Sequence, residues 1–304
     1  MISSVSGLFR SIWTKKGIYL YILPTFVLLG TFMYWPFLLA FFRSLFEWDG
    51  VTTGRFVGIG NYVQILTDPV FHKCMRNVGI IFGFSLTLPL IGPLIAAEAI
   101  YNLRSDRLQR FMRIALIIPS TLPVIVNLML IQYIFNPQVG FANALLRVIG
   151  VQEQTWFADT RLALPTLLIL GAPWSGGLWM LVYLAGLQAI STETIDASVI
   201  DGANTFQRIV YIDVPHVVGQ IKLSLIATAI GVLQGFAHIL VLTDGGPYNA
   251  TNVPGLYMFH KAFEWRYPQM GYGCAVGVVM FLMIILLTVF FMKYVSSGTE
   301  TRLD

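Results

Sequence analysis

Few residues in this sequence have the type and spacing that catalysis requires. The four histidines are dispersed, and no His-Glu-x-x-His pair for a catalytic zinc occurs. No Gly-x-Ser-x-Gly elbow is present to display a nucleophilic serine. No glycine is followed by a lysine, so the phosphate-cradling Gly-x-x-x-x-Gly-Lys-Ser/Thr loop is missing. The chain therefore cannot bind ATP through a P-loop of its own. Cys74 and Cys274 match no redox or metal spacing and read as small apolar fillers. Basic runs with interleaved aromatics are lacking, which argues against a nucleic-acid partner. Nothing supports catalysis, a resident cofactor or a metal.

What remains is a set of polar groups embedded in apolar sequence. Glu98 sits near the inner end of one apolar run, with Arg104 six residues on as its expected partner at the interface. Asn127 and Gln132 lie five apart and point about 140° from each other on a helix, so at most one lines a pathway. Trp179 and Tyr183 share a face at i, i+4; they either stack on a sugar ring or pack inside the fold. Ser224, Thr228, Gly231, Gly235 and His238 recur at spacings of three and four, a seam of small and polar residues that Gln234 joins. Gly231 and Gly235 suit close helix packing, while Gln234 and His238 suit a translocation path.

These groups need long apolar elements to hold them. The chain has 304 residues, of which 56% are hydrophobic and 11% charged, a composition of polytopic membrane proteins. Six apolar segments emerge: Ile18–Phe42, Val78–Tyr101, Ile114–Phe135, Leu162–Gln188, Ile221–Thr243 and Tyr272–Tyr294. Helix one is expected to stop at Tyr34, Trp35 and Pro36, an aromatic belt, and helix two to kink at Pro89, Gly92 and Pro93. Helix four carries Pro173 and Trp174. The basic N-terminus leads into an apolar run too long for a signal peptide. Arg104, Arg107, Arg110 and Arg113 cluster between segments two and three, which places that loop and both termini on the cytoplasmic side. Residues 1–17 and 295–304 are then cytoplasmic ends flanking a six-helix domain at 18–294, with a cytoplasmic loop at 188–220.

That loop, from Thr194 to Pro215, is the longest stretch of mixed polarity between two apolar runs. Ser191 can cap a first short helix with Glu193 in its first turn, and Ile195 and Val199 share a face. Gly202 supplies a bend, and a second helix carries Phe206, Ile209 and Val210. Asp213 reads as the cap of the helix that follows, with Pro215 in its first turn. The stretch resembles the EAA loop of ABC importer permeases, with Asp196, Ala197, Ser198, Asp201, Gly202, Ala203, Ile212, Val214 and Pro215 at the motif's positions. It departs from that pattern with Asp for Glu at 196, Ser for Ala at 198, Ile at 209 where Phe is common, and Val for Leu at 214.

Two further stretches extend the resemblance to the carbohydrate-uptake class. Phe56 to Tyr62 resembles the Phe-x-Gly-Leu-x-Asn-Tyr run after helix one; alone it is a glycine turn before an amphipathic segment, Tyr62–Leu66. Thr243, Asp244, Gly245, Gly246 and Pro247 resemble an outer-loop motif after helix five. The resemblance implies an all-α fold of six transmembrane helices, the type I importer architecture, in the bacterial inner membrane. It implies a second, non-identical permease, two ATPase subunits holding ATP and Mg, and an external solute-binding protein that delivers a carbohydrate. It assigns Asp196, Ala197, Ser198, Asp201, Gly202, Ala203, Phe206 and Ile209 to the ATPase contact and Asp244, Gly245, Gly246 and Pro247 to the binding protein. An ion-gradient-driven transporter is the alternative, and it predicts an internal repeat and paired midplane carboxylates. An importer for a non-sugar solute is another.

Overall fold

The computed structural model describes residues 16–171, 176–263 and 267–294. Among them almost every element is a helix, as lipid demands of a backbone that must satisfy its own hydrogen bonds. Three stretches are long and apolar enough to span a membrane: Leu20–Arg43, Pro69–Tyr101 and Met270–Tyr294. Three more helix pairs pass the same test only jointly, being bent by 91°, 72° and 66°. Of the six expected segments, the first, second and sixth coincide with single long helices and the third with a bent pair, while the other two pairs join a helix of the fourth or fifth segment to one from the 188–220 loop. Two compact units result, one from the described residues up to Gln64 with Lys261–Val278, the other from Ile65–His260 and the residues from Val279 on. The expected cytoplasmic ends and residues Pro173 and Trp174 lie outside the described residues.

In the first unit, α1 (Lys16–Leu29) passes through a π-turn (Gly30–Tyr34) into α2 (Trp35–Arg43). Pro36 has no N–H to offer the preceding turn, and the wide turn absorbs that loss, with Trp35 N–H bonded to the Gly30 carbonyl. The helix thus continues where the sequence predicts an end, because Pro36 sits in the first turn of α2, where it costs little. Beyond it, β1 (Phe46–Glu47) pairs antiparallel with β2 (Arg55–Phe56), and α3 (Gly60–Thr67) follows. The Phe56–Tyr62 stretch now has a physical role. Buried Asn61 donates to the carbonyls of Ser44 (2.8 Å) and Phe46 (3.0 Å), and Tyr62 Oη meets Ser44 Oγ at 2.7 Å. Together they clamp the end of α2 and the start of β1. We expect Asn61→Ala to cost about 1–3 kcal/mol, the penalty for stranding buried acceptors, and to lower the melting temperature in detergent. Asn61→Asp, which turns two donors into acceptors, should be worse. Equal melting temperatures for all three proteins would refute the clamp.

The second unit starts with α4 (Pro69–Ser85), capped by Asp68 through the N–H groups of Val70 and Phe71. α5 (Leu88–Tyr101) continues the same span. The break falls at Leu86–Thr87, one turn before Pro89, because that proline cannot bond the Ser85 carbonyl. α6 (Asp106–Ile117) ends in a 3-10 turn through Pro119 and corners at Pro123 into α7 (Val124–Ile134), so the third segment is not straight. Then come α8 (Phe141–Val148), α9 (Ala163–Gly171) and α10 (Gly177–Gln188).

The loop holds α11 (Thr192–Ile200) and α12 (Thr205–Arg208), followed by a π-turn (Ile209–Asp213) and α13 (Val214–His216). α14 (Val218–Gln234) breaks at Gly235, α15 (Ala237–Leu242) resumes, and α16 (Pro254–Phe263) and α17 (Met270–Tyr294) are the last elements among the described residues.

Apolar burial alone does not hold helices together in lipid, so close packing and buried hydrogen bonds must. α5 packs along α10 through Ala97, Ile100, Met180, Leu184 and Leu187, and Val217 closes the cluster. Gly177 permits the approach of α6: a Cβ there would lie 2.6 Å from the Leu116 carbonyl oxygen. Tyr183 is buried in this core, its hydroxyl 2.5 Å from Ser224 Oγ. Such a bond is worth about 0.6 kcal/mol, at most about 1.7, inside a membrane protein. A second core gathers Val78, Leu167, Leu233, Ile239, Val253 and Leu256.

Candidate functional site

The loop between α10 and α14 is built by local chemistry. Ser191 caps α11 as the sequence predicts, accepting from Thr194 N–H at 3.2 Å, with Glu193 in the first turn. At the other end Gly202 takes φ +77°, Gly202 N–H bonds Val199 O (3.1 Å) and Ala203 N–H bonds Ser198 O (3.0 Å). That pair of bonds is a complete Schellman cap. Asn204 then starts α12 in a reciprocal capping box with Gln207. No residue from 200 to 205 is left to chance.

The loop has an outward and an inward side. Asp196, Ala197, Asp201, Gly202 and Phe206 are exposed, and Ile209 and Ala203 half-buried. Ser198 departs from the expectation: it is buried, and its hydroxyl donates to the Ile195 carbonyl. Ile195 packs inward on the α5–α10 core, whereas Val199 is exposed, so the predicted common face divides between core and solvent. Ile200 and Tyr211, which the sequence did not single out, are 86% and 76% exposed. Phe206 and Val199 are exposed as well, so four apolar side chains of this loop reach the surface in the segment that also carries exposed Asp196 and Asp201. Such a concentration of exposed apolar side chains marks a contact surface.

The inward side carries charge. Asp213 is not a cap; it lies in the π-turn with helical backbone angles, and its side chain is fully buried. Arg208 Nε donates to Asp213 Oδ2 at 3.1 Å. In a regular α-helix residues five apart diverge by about 140°, and the wide i→i+5 turn is what brings this pair together. Arg208 also donates to Asn102 Oδ1 and lies 5.9 Å from the Tyr101 ring centroid. Asn102 in turn donates to Glu98, to its backbone carbonyl (2.8 Å) and to Oε2 (3.3 Å). Glu98 is therefore tied to this cluster rather than to Arg104, because the fold delivers Arg208 and Asp213 to the end of α5. Removing the Arg208 guanidinium would leave Asp213 buried and unpaired, a loss of about 3–5 kcal/mol.

The pathway residues separate. Asn127 and His238 line a cavity of about 310 Å³ together with Ser85, Gly231 and Gly235, between walls that are otherwise apolar. That volume is at the lower end for small-molecule pockets, which run from about 300 Å³. Gln132 faces elsewhere, donating to the Val241 carbonyl at 2.8 Å. Tyr183 is fully buried in the core, and Trp179 packs half-buried against it. Gln234 is exposed outside the cavity, because the break at Gly235 takes it out of phase with His238. The same break changes the glycine seam: a Cβ on Gly231 would meet nothing within 4 Å, so within this chain it borders open space.

Asp244 to Pro247 form a tightly bonded turn. Asp244 and Gly245 take positive φ, the Gly246–Pro247 peptide is cis, and Thr251 Oγ1 bonds both Gly246 O and Thr243 Oγ1 at 2.8 Å. Asn77 on α4 donates to the carbonyls of Asn249 (3.1 Å) and Asn252 (2.8 Å), and Lys73 to that of Tyr248 (2.6 Å). Asp244 stays exposed beside His260 at 3.0 Å, whereas Gly245 is buried beneath it.

This arrangement of a transmembrane helical body, a largely apolar cavity and a structured loop with exposed apolar side chains has clear relatives. The chain is 29% identical over 285 residues to the "Probable ABC transporter permease protein YurN" of Bacillus subtilis, covering 93% of this chain and 97% of that one. It is also 29% identical to the "Lactose transport system permease protein LacF" of Rhizobium radiobacter, covering 89% and 91%. Its fold matches a chain of a bacterial ABC transporter involved in the import of the acidic polysaccharide alginate, with a TM-score of 0.84, 20% identity, and 95% and 98% of the two chains covered. The family model for the binding-protein-dependent transport system inner membrane component matches residues 78–301, from the middle of α4 through both cores, the structured loop and α17. The chain belongs to that family, as a membrane-embedded transport component.

Proposed function

We propose that this chain is one of two permease subunits of an ATP-driven importer that takes up a sugar or related carbohydrate by alternating access. The observation that carries the proposal is the loop at 188–220. There, capped short helices carry exposed apolar side chains in the same segment as exposed carboxylates, within a region matched throughout by the family. Asp196, Ala197, Asp201, Gly202, Ala203, Phe206 and Ile209 would dock on an ATPase subunit, which holds ATP and Mg. Val199, Ile200 and Tyr211 extend that face. Asn127 and His238 would border the path, and the turn from Asp244 to Pro247 would meet an external solute-binding protein. The carbohydrate assignment draws on relatives named for lactose and multiple sugar transport. A second, non-identical permease would complete the path, with the assembly in a bacterial inner membrane and both termini cytoplasmic.

The test is purification with co-expressed neighbouring subunits and reconstitution in vesicles. Import of labelled sugar that needs ATP and the binding protein supports the reading. A chain that purifies alone and transports on an ion gradient without ATP overturns it in favour of a secondary transporter.

A further inference from the structure

We propose that Arg208, held by Asp213 and Asn102, is a positioning residue that fastens the exposed loop to the inner end of the Pro69–Tyr101 span, so that loop and span move as one body. The inference rests on the functional reading above for its transport readout, and on geometry alone for its structure. Four side chains form a continuous path. Asp213, fully buried in the π-turn, holds the guanidinium Nε at 3.1 Å. The other arm of the guanidinium donates to Asn102, which closes the C-terminus of α5 through its backbone bonds to Glu98 and Ile100. Asn102 then reaches back to the Glu98 carboxylate.

Direction and distance both favour a mechanical role. Arg208 is the last residue of α12, immediately after the exposed Phe206 and the Asn204–Gln207 capping box, so it is rigidly joined to the outward face. Ile195 and Ile212 on either side rest on the α5–α10 core, but these apolar contacts are free to slide. A planar fork bonded to two acceptors resists sliding as a packed aliphatic side chain does not. The charge balance is also unusual for a purely structural pair. Two buried carboxylates face one arginine, and Glu98 Oε1 and Asp213 Oδ1 have no hydrogen-bond partner. A fold seeking only stability would do better with apolar groups of the same size.

The experiment uses the complete complex in nanodiscs and two variants. Asn102→Ala cuts the link to the span at an exposed position while leaving the Arg208–Asp213 pair intact, so folding should survive. Arg208→Gln with Asp213→Asn removes both charges together and keeps a neutral hydrogen bond. The readouts are ATP hydrolysed per sugar imported, and the distance distribution between spin labels at Glu193 and Arg104, both exposed and outside the docking face, measured after both native cysteines are replaced by serine. We expect hydrolysis stimulated by the loaded binding protein to persist in both variants. Hydrolysis per sugar imported should rise at least about fivefold, and the label distances should broaden relative to the parent. Unchanged ratio and unchanged distances in an assembled Asn102→Ala complex overturn the proposal. If the parent complex shows no ATP-dependent import, the functional reading fails instead, and the label distances in the chain alone still decide whether Arg208 fastens the loop.

Discussion

Gly202→Pro should insert in the membrane like the parent and lose import, with ATPase affinity reduced roughly thirtyfold or more. The backbone at 202 sits at φ +77° and proline is fixed near −65°, so the Schellman turn cannot form. Proline also lacks the N–H that bonds Val199 O, and turning the chain away removes the Ala203 bond to Ser198 O. Those two bonds set the angle between α11 and α12, and with it the placement of Ile200 relative to Phe206. If that face docks as a unit, misplacing one anchor costs about 2 kcal/mol, close to thirtyfold in affinity. Gly202→Ala is the control that isolates geometry from bulk. A Cβ there meets nothing within 4 Å, so alanine pays only the left-handed strain of about 1–2 kcal/mol and should retain the turn and import. Membrane insertion is far from this loop and should be equal in all three proteins. Binding of the ATPase subunit to each, measured in detergent, decides the matter: parent-like affinity in Gly202→Pro would remove the turn from the docking surface.

The reach of the sequence can be judged from this same loop. Ser191 and Gly202 were legible because each obeys a rule that needs only neighbours in the chain: a side-chain cap and a positive φ. Asp213 was misread because the same local rule favours an aspartate before a Val-Pro helix start. What overrides it is tertiary. The core draws Ile212 inward, the helix widens to a π-turn, and Arg208 comes into register with a carboxylate five residues on. Glu98 was assigned the nearest arginine in sequence for want of any means to see the one that the fold delivers. The expected kink at Pro89 is realised as a break at Leu86–Thr87, whereas the expected stop at Pro36 is not, and the corner at Pro123 was not foreseen. Pro36 is absorbed by a wide turn, whereas Pro89 and Pro123 sit at a break and a corner, and nothing local distinguishes them. The Phe56–Tyr62 stretch was recognisable as a pattern, and its clamp on Ser44 and Phe46 becomes visible only once α2 and α3 are placed.

Two glycines carry the sharpest contrast between pattern and packing. Gly231 and Gly235 have the spacing of a close helix crossing, whereas no spacing in the sequence marks Gly177. In the structure the roles reverse. A Cβ on Gly177 would lie 2.6 Å from Leu116 O and 3.3 Å from Ile117 Cα, both backbone atoms that no rotamer change can move aside. Gly177→Ala should therefore force α6 and α10 apart and cost about 1–3 kcal/mol, and Gly177→Leu considerably more, seen as loss of the monodisperse peak after solubilisation. Gly231→Ala meets open space and exchanges a flexible residue for a strong helix former within α14, worth up to about 1 kcal/mol in the favourable direction. The isolated chain should thus lose melting temperature with the first substitution and keep or gain it with the second. Repeating the pair in the assembled complex separates two meanings of the Gly231 spacing. If Gly231→Ala stays harmless to assembly but slows import, the residue serves the cavity it lines with Asn127 and His238. If it is silent in the isolated chain and breaks the complex, the small-residue seam is a contact with the second permease, and the pattern was right about packing but not about which chain supplies the partner. A loss of stability in the isolated chain as large as that of Gly177→Ala would contradict the open space beside α14.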